Sequence, residues 1–309
     1  MKTKTSIYEY IVGLLIITVL SPFVSCTEDT TIKTGTIKKI PVIYGTVTDI
    51  NEYQQIEISS SADYFSKEEN ETISGASVTM EEDSALEKKL YSFIEDPPES
   101  GIYRTYSEMA GKPGWTYVIH VKMDFDGDGN AETYEAESTM PELVKLDSLN
   151  ITKNKEGQFT LYSLNIYAQD PGGEKNYYLC SYSVNGTLYD QISKYFYFDD
   201  TSLDGEYVNK LPIYYFFDIG DKDKFDDDDV DDMVFLSGGE QIILNIANIT
   251  KGFYNFIDDC QTQKDGSNPF FGGPPANIST NLSGGAKGYF TAFAISSATA
   301  KVPENPAEE

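Results

Sequence analysis

The sequence predicts an all-β protein of two β-domains: an N-terminal immunoglobulin-like sandwich over residues 39–143, then a C-terminal β-sandwich or barrel with one helix over residues 144–300. Three observations carry this. The chain has 23 Tyr and 17 Phe against one Trp. Runs of Val, Ile, Thr and aromatics recur at strand length between polar turns. Only one stretch repeats its apolar residues at helical spacing. At 309 residues the chain is long enough to bury two cores.

The N-terminus reads as an address. Lys2 and Lys4 precede the apolar run "IVGLLIITVL", Ile11 to Leu20, and "SPFVSC" follows. A charged start, a short apolar core and a small residue before the cut make residues 1–25 a secretory signal peptide, too short to span a bilayer comfortably. Phe23, Val24, Ser25 and Cys26 are similar to the lipobox of bacterial lipoproteins, with Phe23 where Leu is usual. In that motif the cysteine sulfur is acylated and the cysteine becomes the new N-terminus. Several acyl chains on one residue anchor stably. Residues 26–38 are polar and expected to be a flexible tether. Glu28 and Asp29 look like the acidic signal that sends Bacteroidetes lipoproteins to the outer face of the outer membrane. The expected location is therefore the outer membrane, lipid-anchored through Cys26 and displayed at the cell surface.

Strands follow in order. "IPVIYGTVTD", "QQIEISSS", "ISGASVTMEED", "SGIYRTY" and "WTYVIHVKM" alternate apolar and polar residues. Ala76, Val78 and Met80 share one face of the third, and Tyr117, Ile119, Val121 and Met123 one face of the last. Several short strands in about 100 residues suggest the two-layer sandwich. Pro141 in "STMPEL" ends the domain. The second half has longer strands, among them "FTLYSLNIYAQD", "NYYLCSYSV", "IYYFFDI" and "EQIILNIAN". The helix is expected over Ile249 to Gly266, where Phe253, Phe256, Ile257 and Cys260 recur at intervals of three and four. Residues 301–309 form an acidic tail.

The formal charge is -27, from 23 basic and 50 acidic residues. Such a surface repels phosphate backbones, so nucleic acid is not an expected partner. The sharpest chemical pattern is "DFDGDGNAETYE", Asp124 to Glu135, with Asp, Gly and Glu at the spacing of an EF-hand calcium loop. Asp124, Asp126, Asp128, Asn130, Glu132 and Glu135 are the candidate oxygen ligands of a structural calcium. The flanks read as strands, so the loop would be grafted on a hairpin; the alternative is a solvated acidic turn. The run Asp218 to Asp232 is more acidic but lacks ligand spacing, and reads as a solvated loop.

Cys180 and Cys260 are the pair available for one disulfide in an oxidising compartment, with two unpaired buried thiols the alternative. The aromatic strand "KYFYFDD" puts Tyr195 and Tyr197 opposite Phe196 and Phe198, core on one side and partly covered surface on the other. His120, the single histidine, falls mid-strand and reads as structural. No nucleophile elbow, zinc-binding His pair, C-x-x-C pair or phosphate-binding glycine loop occurs, so no enzyme activity is expected.

The strands above, "YAQDPGGEKNYYLCSY", "DDTSLDGEY" and the closing "SNPFFGGPPANISTNLSGGAKGYFTAFAIS" resemble the Bacteroidetes lipoprotein family known as domain of unknown function 4249 (DUF4249). The most specific parts are Asp170-Pro171 with Asn176-Tyr177-Tyr178, and Asn268-Pro269-Phe270 with the glycine-rich return. The resemblance implies an outer-membrane lipoprotein, often associated with a TonB-dependent transporter, and no known reaction. The loop after Met123 is longer than the family's usual turn. Three functions follow in order: a binding or accessory subunit beside such a transporter, a structural or adhesive surface lipoprotein, and a hydrolase of glycans or peptides.

Overall fold

The computed structural model describes residues 39–61, 70–84, 87–226, 230, 233–265 and 278–304. The signal peptide, Cys26 and the tether lie outside them, as do Asn268-Pro269-Phe270, Gly266 and residues 305–309. In chain order the strands are β1 (Pro41–Thr48), β2 (Gln55–Ser60), β3 (Ser77–Asp83), β4 (Lys88–Glu95), β5 (Ile102–Thr105), β6 (Thr116–Met123), β7 (Glu132–Thr139), β8 (Lys145–Glu156), β9 (Phe159–Gln169), β10 (Tyr177–Val184), β11 (Thr187–Tyr189), β12 (Phe196–Asp199), β13 (Tyr207–Asp218), β14 (Phe235–Leu236) and β15 (Gln241–Asn248). Helix α1 (Lys251–Asp265), β16 (Lys287–Phe293) and β17 (Ile295–Lys301) complete the fold. All-β architecture with one long α-helix among the described residues, beside short 3-10 turns at Ile192–Lys194 and Ile219–Lys224, is what the sequence predicts.

The first seven strands and β16 form one eight-stranded sheet in the order β16-β1-β2-β5-β4-β3-β6-β7. It curls until its edges meet, so the two layers expected of a sandwich are facing walls of one nearly closed barrel. Alternation builds the interior. Val78 and Met80 on β3, Tyr117, Ile119, Val121 and Met123 on β6, and Tyr134 and Ala136 on β7 all point inward and are buried.

The domain boundary drawn at residues 143/144 separates these seven strands from the next group, but the chain later crosses back. β16 pairs with β1 in parallel, with Gly288 opposite Ile43. Gly288 has φ +97°, and a Cβ there would stand 2.1 Å from the Ile43 carbonyl oxygen, so only glycine permits this approach.

The remaining strands make a sandwich of two sheets, β11-β10-β15-β17 with β12 also on β10, facing β14-β13-β9-β8. Strand β10 is buried on both faces, which explains its nearly unbroken apolar sequence. Tyr178, Cys180, Tyr182 and Val184 fill the sandwich core. Leu179 faces a third cluster with Phe253, Phe256 and Ile257 of α1 and Tyr289 and Phe293 of β16. The helical stripe read from the sequence therefore packs where barrel and sandwich join. Phe196 and Phe198 turn into the sandwich, whereas Tyr195 and Tyr197 turn toward α1. No described helix is long and apolar enough to cross a membrane.

Candidate functional site

The β6–β7 hairpin carries the acidic loop at its tip. Gly127 and Gly129 take φ +73° and +89°, the left-handed turns that let the chain fold back on itself. Asp124 accepts the Gly129 N–H at 2.9 Å, Asp126 the Asp128 N–H at 3.3 Å, and Asp128 the Asn130 N–H at 2.7 Å. Each bond engages one oxygen of its carboxylate. All three residues offer a carboxylate oxygen within 4.8 Å of the others. Hard oxygens at this spacing suit calcium, whose charge would relieve the repulsion among them.

Glu132 turns back to accept the Phe125 N–H at 3.1 Å and closes the loop's base. Glu135 does not join the cluster. It lies opposite His120 in the ladder, on the outer face of the barrel, and its carboxylate meets His120 Nδ1 at 3.0 Å. A strand delivers it, and three residues of strand carry it about 10 Å beyond the loop. Of the six candidate ligands Glu135 is therefore corrected: the Asp trio gathers without the Glu of the twelfth position.

Cys180 and Cys260 are both free thiols. Cys180 points into the sandwich core and Cys260 packs with the helix cluster, so the five-stranded sheet lies between them. Burial raises both, Cys260 to about 11. The run from Asp218 is not simply solvated. Asp218 is buried and accepts Tyr162 Oη at 2.6 Å and the Gly220 N–H at 2.8 Å. Buried Asp221 accepts the Thr160 N–H and pairs with Lys224. Residues 227–229 and 231–232 lie outside the described residues.

The stretches "YAQDPGGEKNYYLCSY" and "DDTSLDGEY" of the family resemblance come together. Asp170, 4% exposed, accepts from Tyr178 Oη and, at 2.8 Å, from the Gly205 N–H. Asp200, 1% exposed, accepts the Asn176 N–H at 2.7 Å and pairs with Lys175 at 3.2 Å. Asp204 accepts the Gly173 N–H at 2.7 Å. These bonds clasp the β9–β10 loop to the β12–β13 loop. Thr201 and Lys175 hold Asp199 down at about 2, and desolvation pushes the Tyr178 hydroxyl far up. Beside the clasp, a groove of about 410 Å³ runs between the barrel's exit at Met140–Glu142 and the sandwich, lined also by Lys175, Tyr177, Asn248 and Lys251.

Two features escaped sequence reasoning. Glu82, 2% exposed, lies inside the barrel and accepts Tyr91 Oη at 3.0 Å and Tyr117 Oη at 3.2 Å. The alternation Val78, Met80 runs on to position 82, so its burial was readable. The second is Asn281, whose amide stitches the barrel's two edges together. Its polar, glycine-rich surroundings read only as a loop.

A nearly closed barrel and a sandwich sharing one helix, with acidic groups gathered in end loops and clasps, define the class of this all-β protein. The chain belongs to the family described as domain of unknown function (DUF4249), whose sequence profile matches residues 27–299. No curated protein matches it.

Proposed function

We propose that this protein is a surface-exposed outer-membrane lipoprotein that serves as a binding or accessory subunit of a TonB-dependent uptake system. The observation that carries the reading is membership of the family over residues 27–299, taken together with the lipobox-like segment that ends at Cys26. The groove of about 410 Å³ at the barrel–sandwich junction is where this reading places a ligand. The hydrolase reading gains no such support. Among the described residues the carboxylates that shift, Glu71, Glu95, Asp199, Asp218 and Asp221, shift downward, the reverse of a protonated general acid.

The test is expression of the full chain and of Cys26→Ala, followed by mass spectrometry of the N-terminal peptide and affinity purification from outer membranes. The reading expects an acylated Cys26 and an enriched TonB-dependent transporter. An unmodified Cys26, or purification without any such transporter, would sink it.

Calcium at the Asp124–Asn130 loop is the second element of the proposal. Asp124, Asp126 and Asp128 would hold the ion, with the Asn130 carbonyl and Glu132 near enough in sequence to add oxygens. Its role would be to stiffen the hairpin tip, because no reacting group adjoins the loop among the described residues.

A further inference from the structure

The barrel's two edges, β7 and β16, are not joined by a backbone ladder. Residues 278–286 cross the seam as a strap and supply the missing bonds. Ser283 exchanges two bonds with Glu135 on β7: its N–H donates to the Glu135 carbonyl at 2.8 Å, and its Oγ accepts the Glu135 N–H at 2.8 Å. Asn281 reaches both strands. Its Nδ2 donates to the Glu137 carbonyl at 3.0 Å and the Phe290 carbonyl at 2.8 Å, while its Oδ1 accepts the Phe290 N–H at 3.0 Å. Directly across the seam, Ser138 Oγ accepts the Ala292 N–H at 3.0 Å. Five of these six bonds depend on the rotamer of one of three side chains.

The strap is pinned and hinged. Leu282 is buried in the barrel core, which holds its middle. Gly284, at φ +68°, passes so near β7 that a Cβ would stand 2.9 Å from the Tyr134 ring, and Gly285 follows at φ +81° with open space around it.

We propose that this strap is a latch and that the barrel opens along the β7–β16 seam in a local motion well below global unfolding. Opening requires Asn281, Ser283 and Leu282 to leave, but breaks no strand ladder. It exposes the Glu135 N–H and the Glu135 and Glu137 carbonyls as a free sheet edge, and gives solvent access to the barrel interior. The other neighbouring strands of the described barrel are joined by backbone ladders, so this seam is the place where opening breaks none.

Residue-resolved hydrogen exchange on the folded chain from residue 27 tests it. The expected result is exchange at least ~10-fold faster for the amides of Glu135, Ser283, Phe290 and Ala292 than for the hydrogen-bonded amides of β3 and β6. Ser138→Ala, which removes a single acceptor, should speed those four amides by a further ~10-fold and leave β3 and β6 unchanged. Asn281→Ala should do more; if it fails to fold, Ser138→Ala still decides. Equal protection across seam and ladder overturns the proposal. So does a variant that accelerates every barrel amide alike, since that reports global unfolding.

Discussion

Replacing Glu82 by alanine removes the acceptor of two buried hydroxyls. Tyr117 is fully buried and Tyr91 nearly so, and both donate to this carboxylate. Lys112 stands 3.9 Å from it and lies over the Trp115 ring at 3.8 Å. Tyr117 Oη also accepts the Lys112 N–H at 2.7 Å, so the network ties β3, β4, β6 and the loop before β6 into one end of the barrel. An orphaned buried hydroxyl costs about 1–3 kcal/mol, and the vacated space adds about 1 kcal/mol. For two such hydroxyls the expected loss is therefore about 3–7 kcal/mol, a large share of the ~5–15 kcal/mol typical of a folded domain.

Glu82→Gln keeps the volume and one acceptor oxygen, and Tyr91 can rotate its hydroxyl to accept from the new amide. Its expected loss is about 1–2 kcal/mol, the charge-assisted part of the bonds. Urea unfolding followed by the fluorescence of Trp115, the single tryptophan and the neighbour of Lys112, measures both. The reasoning fails if alanine and glutamine destabilise equally, because packing would then matter and the hydrogen bonds would not. It fails equally if alanine costs less than about 0.5 kcal/mol, the range of an ordinary surface change.

Calorimetric titration with calcium should give binding heat that vanishes in Asp124→Asn/Asp128→Asn; no heat from the unmutated protein ends the calcium reading. Gly288→Ala should cost more than about 3 kcal/mol, since both its φ and the Ile43 carbonyl forbid a Cβ, and an unchanged melting temperature would contradict the tight β1–β16 pairing. A chain starting at residue 27 should show two unpaired thiols when unfolded without reductant, whereas recovery of a peptide linking Cys180 to Cys260 would overturn the placement of the sheet between them. Alkali should unfold the protein above pH 10. Desolvation raises Tyr182 and Tyr195 to about 12 and Tyr117, Tyr162 and Tyr178 further. Groups raised in the folded state lend stability that is complete below their unfolded value near 10 and is lost as pH climbs through the folded values. A flat denaturant midpoint between pH 9 and pH 12 would refute this.

What the sequence disclosed depended on how local the cause was. The stripe Phe253, Phe256, Ile257 dictates α1 because its period alone buries one face. The turn residues of Asp124–Asn130 dictate a hairpin tip because Gly127 and Gly129 accept positive φ. The alternation on β6 and β7 likewise fixes which face is core, and it separates Glu135 from the Asp trio once the strand reading is taken seriously. Non-local pairings were closed to that logic. Nothing in "AKGYFTAF" says that it will lie parallel to "PVIYGTVT" some 240 residues earlier, and a division by chain order follows when that return is unseen. Asn281 is obscure for a different reason, since an amide that replaces ladder bonds has the same local signature as one facing water.

Tyrosine and lysine share the work of burying carboxylates. Among the described residues Lys112, Lys153, Lys175 and Lys224 stand within 4.0 Å of Glu82, Asp218, Asp200 and Asp221 in turn. Tyrosine adds donors: Tyr91 and Tyr117 to Glu82, Tyr178 to Asp170, which has no lysine beside it among the described residues, Tyr162 to Asp218, and at the surface Tyr197 to Asp258. Backbone N–H groups of Asn176, Gly205 and Gly220 complete the coordination. A phenol brings a hydrogen-bond donor and a large apolar ring on one side chain, so it neutralises nothing yet lowers the cost of a buried charge while filling the core. The same choice places the main chemical vulnerability at high pH, where donor and acceptor would both be negative. It also assigns the family motif Asp170 with Asn176, Tyr177 and Tyr178 a structural reason of its own, because Tyr178 and the loop amides are what allow two neighbouring aspartates to be buried side by side.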